Sequence, residues 1–220
     1  MIQKQNNDKC DIKNCDLNKY KNHNKCILHC EKTKEDNSVQ FRDEFQDELR
    51  EYSNKRLYCE SDFMSANGSP VITYKDIVFL NSNLLTSKIF PKNFNAEEIL
   101  NFKLNSLEFQ NCTFNSMHHS SNELHCIYID CAFNFSWKDF LIKKGVKHSY
   151  QGCQFKGKLV AVFDENNNQD SCVLPEFLNC TFDEGFLFEN CDLSLISIFN
   201  PRSNNKISGQ IKFDKAKISN

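Results

Sequence analysis

The chain has 220 residues, with 27 Lys+Arg against 29 Asp+Glu, 40% hydrophobic and 25% charged residues. That balance excludes wholesale disorder and gives no global attraction to nucleic acid or anionic lipid. No stretch approaches the roughly 20 apolar residues that cross a bilayer, and residues 1–7 are polar where a secretion signal carries its apolar centre. A cytoplasmic protein with reduced thiols is the expectation, so its 12 Cys do not read as a disulfide framework.

Residues 1–34 form the first predicted unit. Cys10, Cys15, Cys26, His29 and Cys30 fall at the spacing Cys-x4-Cys-x10-Cys-x2-His-Cys. Zinc takes four thiolate or imidazole ligands in a tetrahedron, supplied as two close pairs with a spacer between them. Cys10 and Cys15 make one pair. Cys26 makes the other with His29 or with Cys30, both within one helical turn of it; His29 is favoured, and His23 in the spacer is a weaker candidate. Ile12, Leu17, Tyr20, Ile27 and Leu28 are nearly all the apolar residues this unit has. It cannot fold by burial alone, and a structural zinc ion is the expected remedy.

Residues 35–69 form the second unit. Phe41, Phe45, Leu49 and Tyr52 lie on one face of an amphipathic helix running from about residue 38 to 53, capped by Asn37 or Ser38. This face is expected to close one end of the domain that follows, while the turn cluster Asn67-Gly68-Ser69-Pro70 marks the boundary. Residues 70–220 carry a recurring pattern: Phe109-x-x-Cys112-x-Phe114, Tyr128-x-x-Cys131-x-Phe133, Tyr150-x-x-Cys153-x-Phe155, Phe177-x-x-Cys180-x-Phe182, Phe188-x-x-Cys191-x-Leu193 and Phe213-x-x-Ala216-x-Ile218. The five-residue spacing extends upstream through Leu104, Ile99, Phe94, Ile89, Leu84 and Phe79 to Tyr74. Such a period fits neither a helix nor a plain alternating strand, and self-similarity of this kind predicts a solenoid.

These units resemble pentapeptide-repeat proteins, and the Cys/His front segment is similar to the zinc-binding leader of a bacterial subset of them. The resemblance implies a mainly β fold: a right-handed quadrilateral β-helix, with the aromatic and the small residue of each unit pointing inward. Irregular inserts at 115–125, 134–149 and 199–210, and a loop at 164–171, are expected to distort it. The zinc knuckle and the single amphipathic helix precede it.

Catalysis finds little in the sequence. There is no Gly-rich phosphate loop, nucleophile elbow or His-Glu-x-x-His helix, and His118, His119 and His125 with Glu123 read as surface loop residues. The expectation is a non-enzymatic binding or scaffold protein that presents a rigid face to a protein partner whose identity is open. Two alternatives stand beside it. One is nucleic-acid association through the leader, whose eight Lys face four Asp/Glu but which has no Arg. The other, implied by the resemblance, is DNA mimicry toward a topoisomerase. A homodimer through the C-terminal coil is a further expectation.

Overall fold

The structure is a computed structural model. It describes residues 8–32, 38–59, 71–79, 82–83, 106–118, 125–138, 142–143, 148–162, 172–173, 175–189 and 203–214. Among the described residues one α-helix, α1 (Val39–Cys59), precedes a series of short strands. The first coil carries β1 (Val71–Lys75), β2 (Val78–Phe79) and β3 (Ser82–Asn83), and the second β4 (Ser106–Gln110), β5 (Thr113–Phe114) and β6 (Met117–His118). The third contains β7 (His125–Ile129), β8 (Ala132–Phe133), β9 (Trp137–Lys138) and β10 (Ile142–Lys143). The fourth contains β11 (His148–Gln151), β12 (Gln154–Phe155), β13 (Leu159–Val162) and β14 (Cys172–Val173). β15 (Glu176–Leu178), β16 (Thr181–Phe182) and β17 (Gly185–Glu189) make the fifth; β18 (Lys206–Ile207) and β19 (Gln210–Asp214) belong to the sixth.

Each strand pairs in parallel with its counterpart one coil away. The sheets run β1-β4-β7-β11-β15, β2-β5-β8-β12-β16-β18 and β9-β13-β17-β19, with β3-β6 as a further parallel pair; among the described strands, β10-β14 is the antiparallel exception. The molecule is therefore mainly β, with parallel sheets stacked as in a β-solenoid. Register is pinned by two columns of rings. Tyr74, Phe109, Tyr128, Tyr150 and Phe177 lie opposite one another on the first sheet, with successive centroids 5.2, 5.0, 4.6 and 5.1 Å apart. Phe79, Phe114, Phe133, Phe155 and Phe182 do the same on the second, 4.8, 5.0, 4.7 and 5.0 Å apart and within 8° of parallel. Rings of one column meet the other edge to face, as Phe109 does Phe114 at 74°. All ten are buried, and both geometries are favourable for aromatic quadrupoles.

Between the columns the chain turns a corner at Asp76, Asn111, Asp130, Gly152, Asn179 and Asn204, every one at positive φ between 49° and 65°. Asn, Asp and Gly are the residues that enter this left-handed region most readily. After the corner, each cysteine sends its thiol inward to two carbonyls. Cys131 Sγ donates to Phe109 O of the preceding coil at 3.2 Å and to Ile129 O at 3.3 Å; Cys112, Cys153 and Cys180 repeat the arrangement. These thiols are small buried fillers that also satisfy backbone acceptors. None of the nine cysteines whose side chains are described is in a disulfide.

The third sheet departs from the expected pattern. Phe188 and Phe213 do not continue the Phe177 column; they lie in β17 and β19, opposite each other, their rings 5.4 Å apart. The remainder of those two predicted units, from Cys191 and from Ala216, lies outside the described residues, as do positions 84–104 of the upstream series and the loop 164–171. Segments 134–149 and 199–210, expected as irregular inserts, contribute β9, β10, the start of β11, β18 and the first residue of β19; likewise β6 and the start of β7 fall within 115–125. Trp137 occupies the inward place that Leu159, Phe186 and Ile211 take in later coils. The third sheet reuses no small-residue marker, so its strands leave no repeating motif.

The β17 strand opens on Gly185 at φ 79°, where a Cβ would collide with the Gln210 carbonyl of the next coil. The obstacle is backbone and cannot swing aside, so Gly185→Ala is expected to lower unfolding free energy by at least about 2 kcal/mol, read as a lower denaturant midpoint at unchanged slope.

On the first sheet, Ile72, Leu107, Cys126 and His148 form a buried inward column. His148 is 4% exposed, and burial, with some repulsion from His125, lowers its pKa to about 4. A histidine that ionises near 6.5 when unfolded and near 4 when folded is neutral in the native state. Its contribution is complete above pH 6.5 and is lost as pH falls toward 4, about 3 kcal/mol in all. Chemical denaturation at pH 7 and pH 4.5 should therefore show a smaller loss of stability in His148→Leu than in the parent.

Candidate metal centre

Two short backbone devices place four side chains together. Lys9 bridges Asn18 in antiparallel fashion, and Cys10 N donates to Leu17 O at 2.9 Å. The loop between them folds back, with Cys15 N donating to Ile12 O at 3.1 Å and Asn14 at φ 65°. This pair of bends turns Cys10 and Cys15 to one side. Residues 26–30 make a single helical turn, in which His29 N and Cys30 N both donate to Cys26 O, at 3.1 and 2.9 Å. A three-residue offset on such a turn sets Cys26 Sγ and His29 Nδ1 side by side.

The donor atoms of Cys10, Cys15, Cys26 and His29 all lie within 4.8 Å of one another. Cys15 Sγ is 3.7 Å from Cys26 Sγ, and His29 Nδ1 is 3.5 Å from Cys10 Sγ and 3.2 Å from Cys26 Sγ. Zn–S bonds of about 2.3 Å and a Zn–N bond of about 2.0 Å at tetrahedral angles require S···S of about 3.8 Å and S···N of about 3.5 Å. The residues therefore fit a four-coordinate ion with a Cys3His donor set.

Burial raises the pKa of Cys15 and of Cys26, so thiolates form here together with an incoming cation and its binding releases protons. Burial lowers the pKa of His29, while Asp76 and a hydrogen bond with the Lys75 backbone oppose it. Nδ1 faces the thiols, the orientation a metal-binding histidine needs. Three thiolates and one divalent cation carry a net charge of −1, and Lys25 and Lys32, whose charges bear on His29, have the sign that favours it. Cys15 and His29 also border a cleft of about 530 Å³ shared with Asp11, Glu48, Glu51 and Asp76, an entry path for a cation.

The turn that carries Cys26 and His29 is also joined to the solenoid. Leu28 is fully buried, and its carbonyl accepts from Val78 N at 3.0 Å. The same bond recurs one coil at a time, from Thr113 N to Ile77 O, Ala132 N to Cys112 O, Gln154 N to Cys131 O, Thr181 N to Cys153 O and Lys206 N to Cys180 O, all at 2.8–2.9 Å. Leu28 thus takes the rung that a preceding coil would supply. α1 covers the rest of this end. It starts at Ser38, whose Oγ accepts from Phe41 N at 3.1 Å as an N-cap. Phe45 packs edge to face on Phe79, Tyr52 stacks on Tyr74, and Tyr52 Oη donates to Thr73 O. Tyr20 of the leader meets Phe41, and Lys32 spans the joint, its ammonium donating to Leu28 O and lying 5.2 Å from the Phe45 ring centre.

Among the candidate ligands, Cys10, Cys15, Cys26 and His29 converge. Cys30 is buried, but its thiol lies 3.8 Å from Ile27 O and is not one of the converging donors. His23 stacks on Tyr20 instead. His125 lies in β7 and His118 in β6, while His119 and Glu123 lie outside the described residues. Residue type does not mark the role of Leu28, which rests on its backbone carbonyl. No helix among the described residues is long and apolar enough to cross a membrane. No protein-family model, no curated protein and no solved structure matches the chain.

Proposed function

We propose that the protein is a non-catalytic scaffold: a pentapeptide-repeat-like, right-handed quadrilateral β-helix that presents a rigid face to a protein partner in the cytoplasm, closed at its N-terminal end by a structural zinc knuckle. The observation that carries this reading is the single buried core that runs without a break from Cys10 and Leu28 through the ring columns to Phe188. Inward positions are filled by side chains, so chemistry with a partner falls to outward residues such as Ile129, Gln151 and Leu178, which stand in register on the first sheet. A surface fixed in advance loses little entropy when it binds. Four protein donors complete a tetrahedron and leave no position for an activated water, which favours a structural ion over a hydrolytic one.

The first test is elemental analysis of protein purified under reducing conditions without added metal. One zinc per chain, with three thiols protected until chelation, is the expected result; a Cys26→Ala chain that keeps its zinc and its full stability would sink the assignment. The face is tested by site-specific photo-crosslinking in cells. Crosslinks from Ile129 and Leu178 to one protein species, with none from Lys212 on the third sheet, support the scaffold reading, and crosslinks to nucleic acid replace it with the leader-based alternative.

A further inference from the structure

The metal-organised turn sits where a strand edge would otherwise be open. β1 and β2 are the terminal strands of their sheets, and such edges pair with other chains unless something covers them. Here the cover is Leu28, whose carbonyl takes the Val78 amide, flanked by the cluster residues Cys26 and His29, together with α1. The helix packs on Phe79 and Tyr74 and is tied to the leader by Tyr20 against Phe41, so it must swing away with the leader for the edge to open. The leader has too few apolar residues to hold that turn in place without the ion. At the opposite end, β18 and β19 are terminal in their sheets. Asn204 makes the sixth left-handed corner, Asn205 follows it in the place of the cysteines, and Phe213 is 44% exposed on the column that Phe188 begins.

We infer that metal occupancy gates self-association: when the ion leaves, the Leu28 rung is released, and the N-terminal edge of one copy takes the C-terminal coil of a second. This rests on the metal reading above. The strands of successive coils pair in parallel, and in the series that Leu28 begins each amide donates to the carbonyl one coil earlier. A freed Val78 amide therefore matches the Asn205 carbonyl of another copy, which continues the series after Cys180. The contact is head to tail, a heterologous interface that does not close on itself, so it grows into open-ended chains.

The test compares zinc-loaded and chelator-stripped protein, both under reducing conditions, by light scattering at several concentrations and by amide hydrogen exchange. The loaded protein is expected to stay monomeric. The stripped protein should rise in mass in steps of 25.7 kDa with concentration and revert on adding zinc, and residues 71–79 should exchange about tenfold faster or more in stripped Phe213→Glu. That variant, altered at an exposed site, should remain monomeric when stripped. Stripped protein that stays monomeric with 71–79 still protected would overturn the inference, and so would stripped Phe213→Glu that associates like the parent. A chain that takes up no zinc at any concentration would fail one step earlier and remove the metal reading itself.

Discussion

Phe133→Ala is expected to lower the free energy of unfolding by about 4 kcal/mol, the range for truncating a fully packed aromatic ring. Phe133 is 1% exposed. It stacks between Phe114 and Phe155, with centroids 5.0 and 4.7 Å away, and presents its edge or face to Tyr128, Tyr150 and Trp137 at 5.6, 5.6 and 5.7 Å. The cavity left behind cannot collapse, because the backbone on both sides is fixed by parallel ladders one coil apart. Whole domains are stable by only about 5–15 kcal/mol, so this one change removes a large part of the total. Phe213→Ala is the control: its ring is 44% exposed and packs on Phe188 alone among the described rings, and its loss should stay below about 1.5 kcal/mol. Denaturant unfolding of the two variants gives the comparison directly; equal losses would mean that the columns do not carry the stability assigned to them.

The second large effect is expected at Cys26. Its thiol touches two other members of the cluster, Cys15 and His29, and the residue is 1% exposed. Cys26→Ala should abolish zinc retention and lower the melting temperature by roughly 10 °C, from a loss of about 3–4 kcal/mol at 2–4 °C per kcal/mol for a chain of this size. The damage should reach past the leader. Because Leu28 supplies a rung to Val78, hydrogen exchange in dilute, monomeric Cys26→Ala should speed up in residues 71–79 as well as in 8–32, while residues 148–162 keep their protection. Exchange confined to 8–32 would show that the leader and the first coil are uncoupled.

The columns and the cluster could be read from residue types because each imposes a demand that few side chains meet. A rung needs a large ring, then a small buried filler, then another ring, and Phe109, Cys112 and Phe114 spell that out. A tetrahedral ion needs soft donors in close pairs, and Cys10, Cys15, Cys26 and His29 stand at such distances. The corner is written in the same terms: Asp76, Asn111, Asp130, Gly152, Asn179 and Asn204 all precede the filler position, and positive φ is what unites them. Trp137, Leu159, Phe186 and Ile211 share a column but no chemistry beyond being apolar, so composition could not align them. His148 was hidden for the opposite reason, a polar residue in an apolar column. Leu28 was hidden because its role is a carbonyl, which every residue has.

The intervals between successive ring positions are unequal: 35 residues from Tyr74 to Phe109, then 19 to Tyr128, 22 to Tyr150 and 27 to Phe177. The corner path from first ring to second is constant at five residues in every one of these coils. The variation therefore enters after the second ring and, where β9 or β13 follows it, after that third-sheet strand, before the chain returns to the first sheet. Lengthening a closed connection is thermodynamically mild, about 0.6 kcal/mol for each doubling. One side of this protein thus behaves as a fixed ruler and the other as a margin where sequence can be added, removed or exchanged. New recognition loops, affinity tags or reporter peptides placed in that margin would inherit a rigid mount, and none of them would have to renegotiate the rungs.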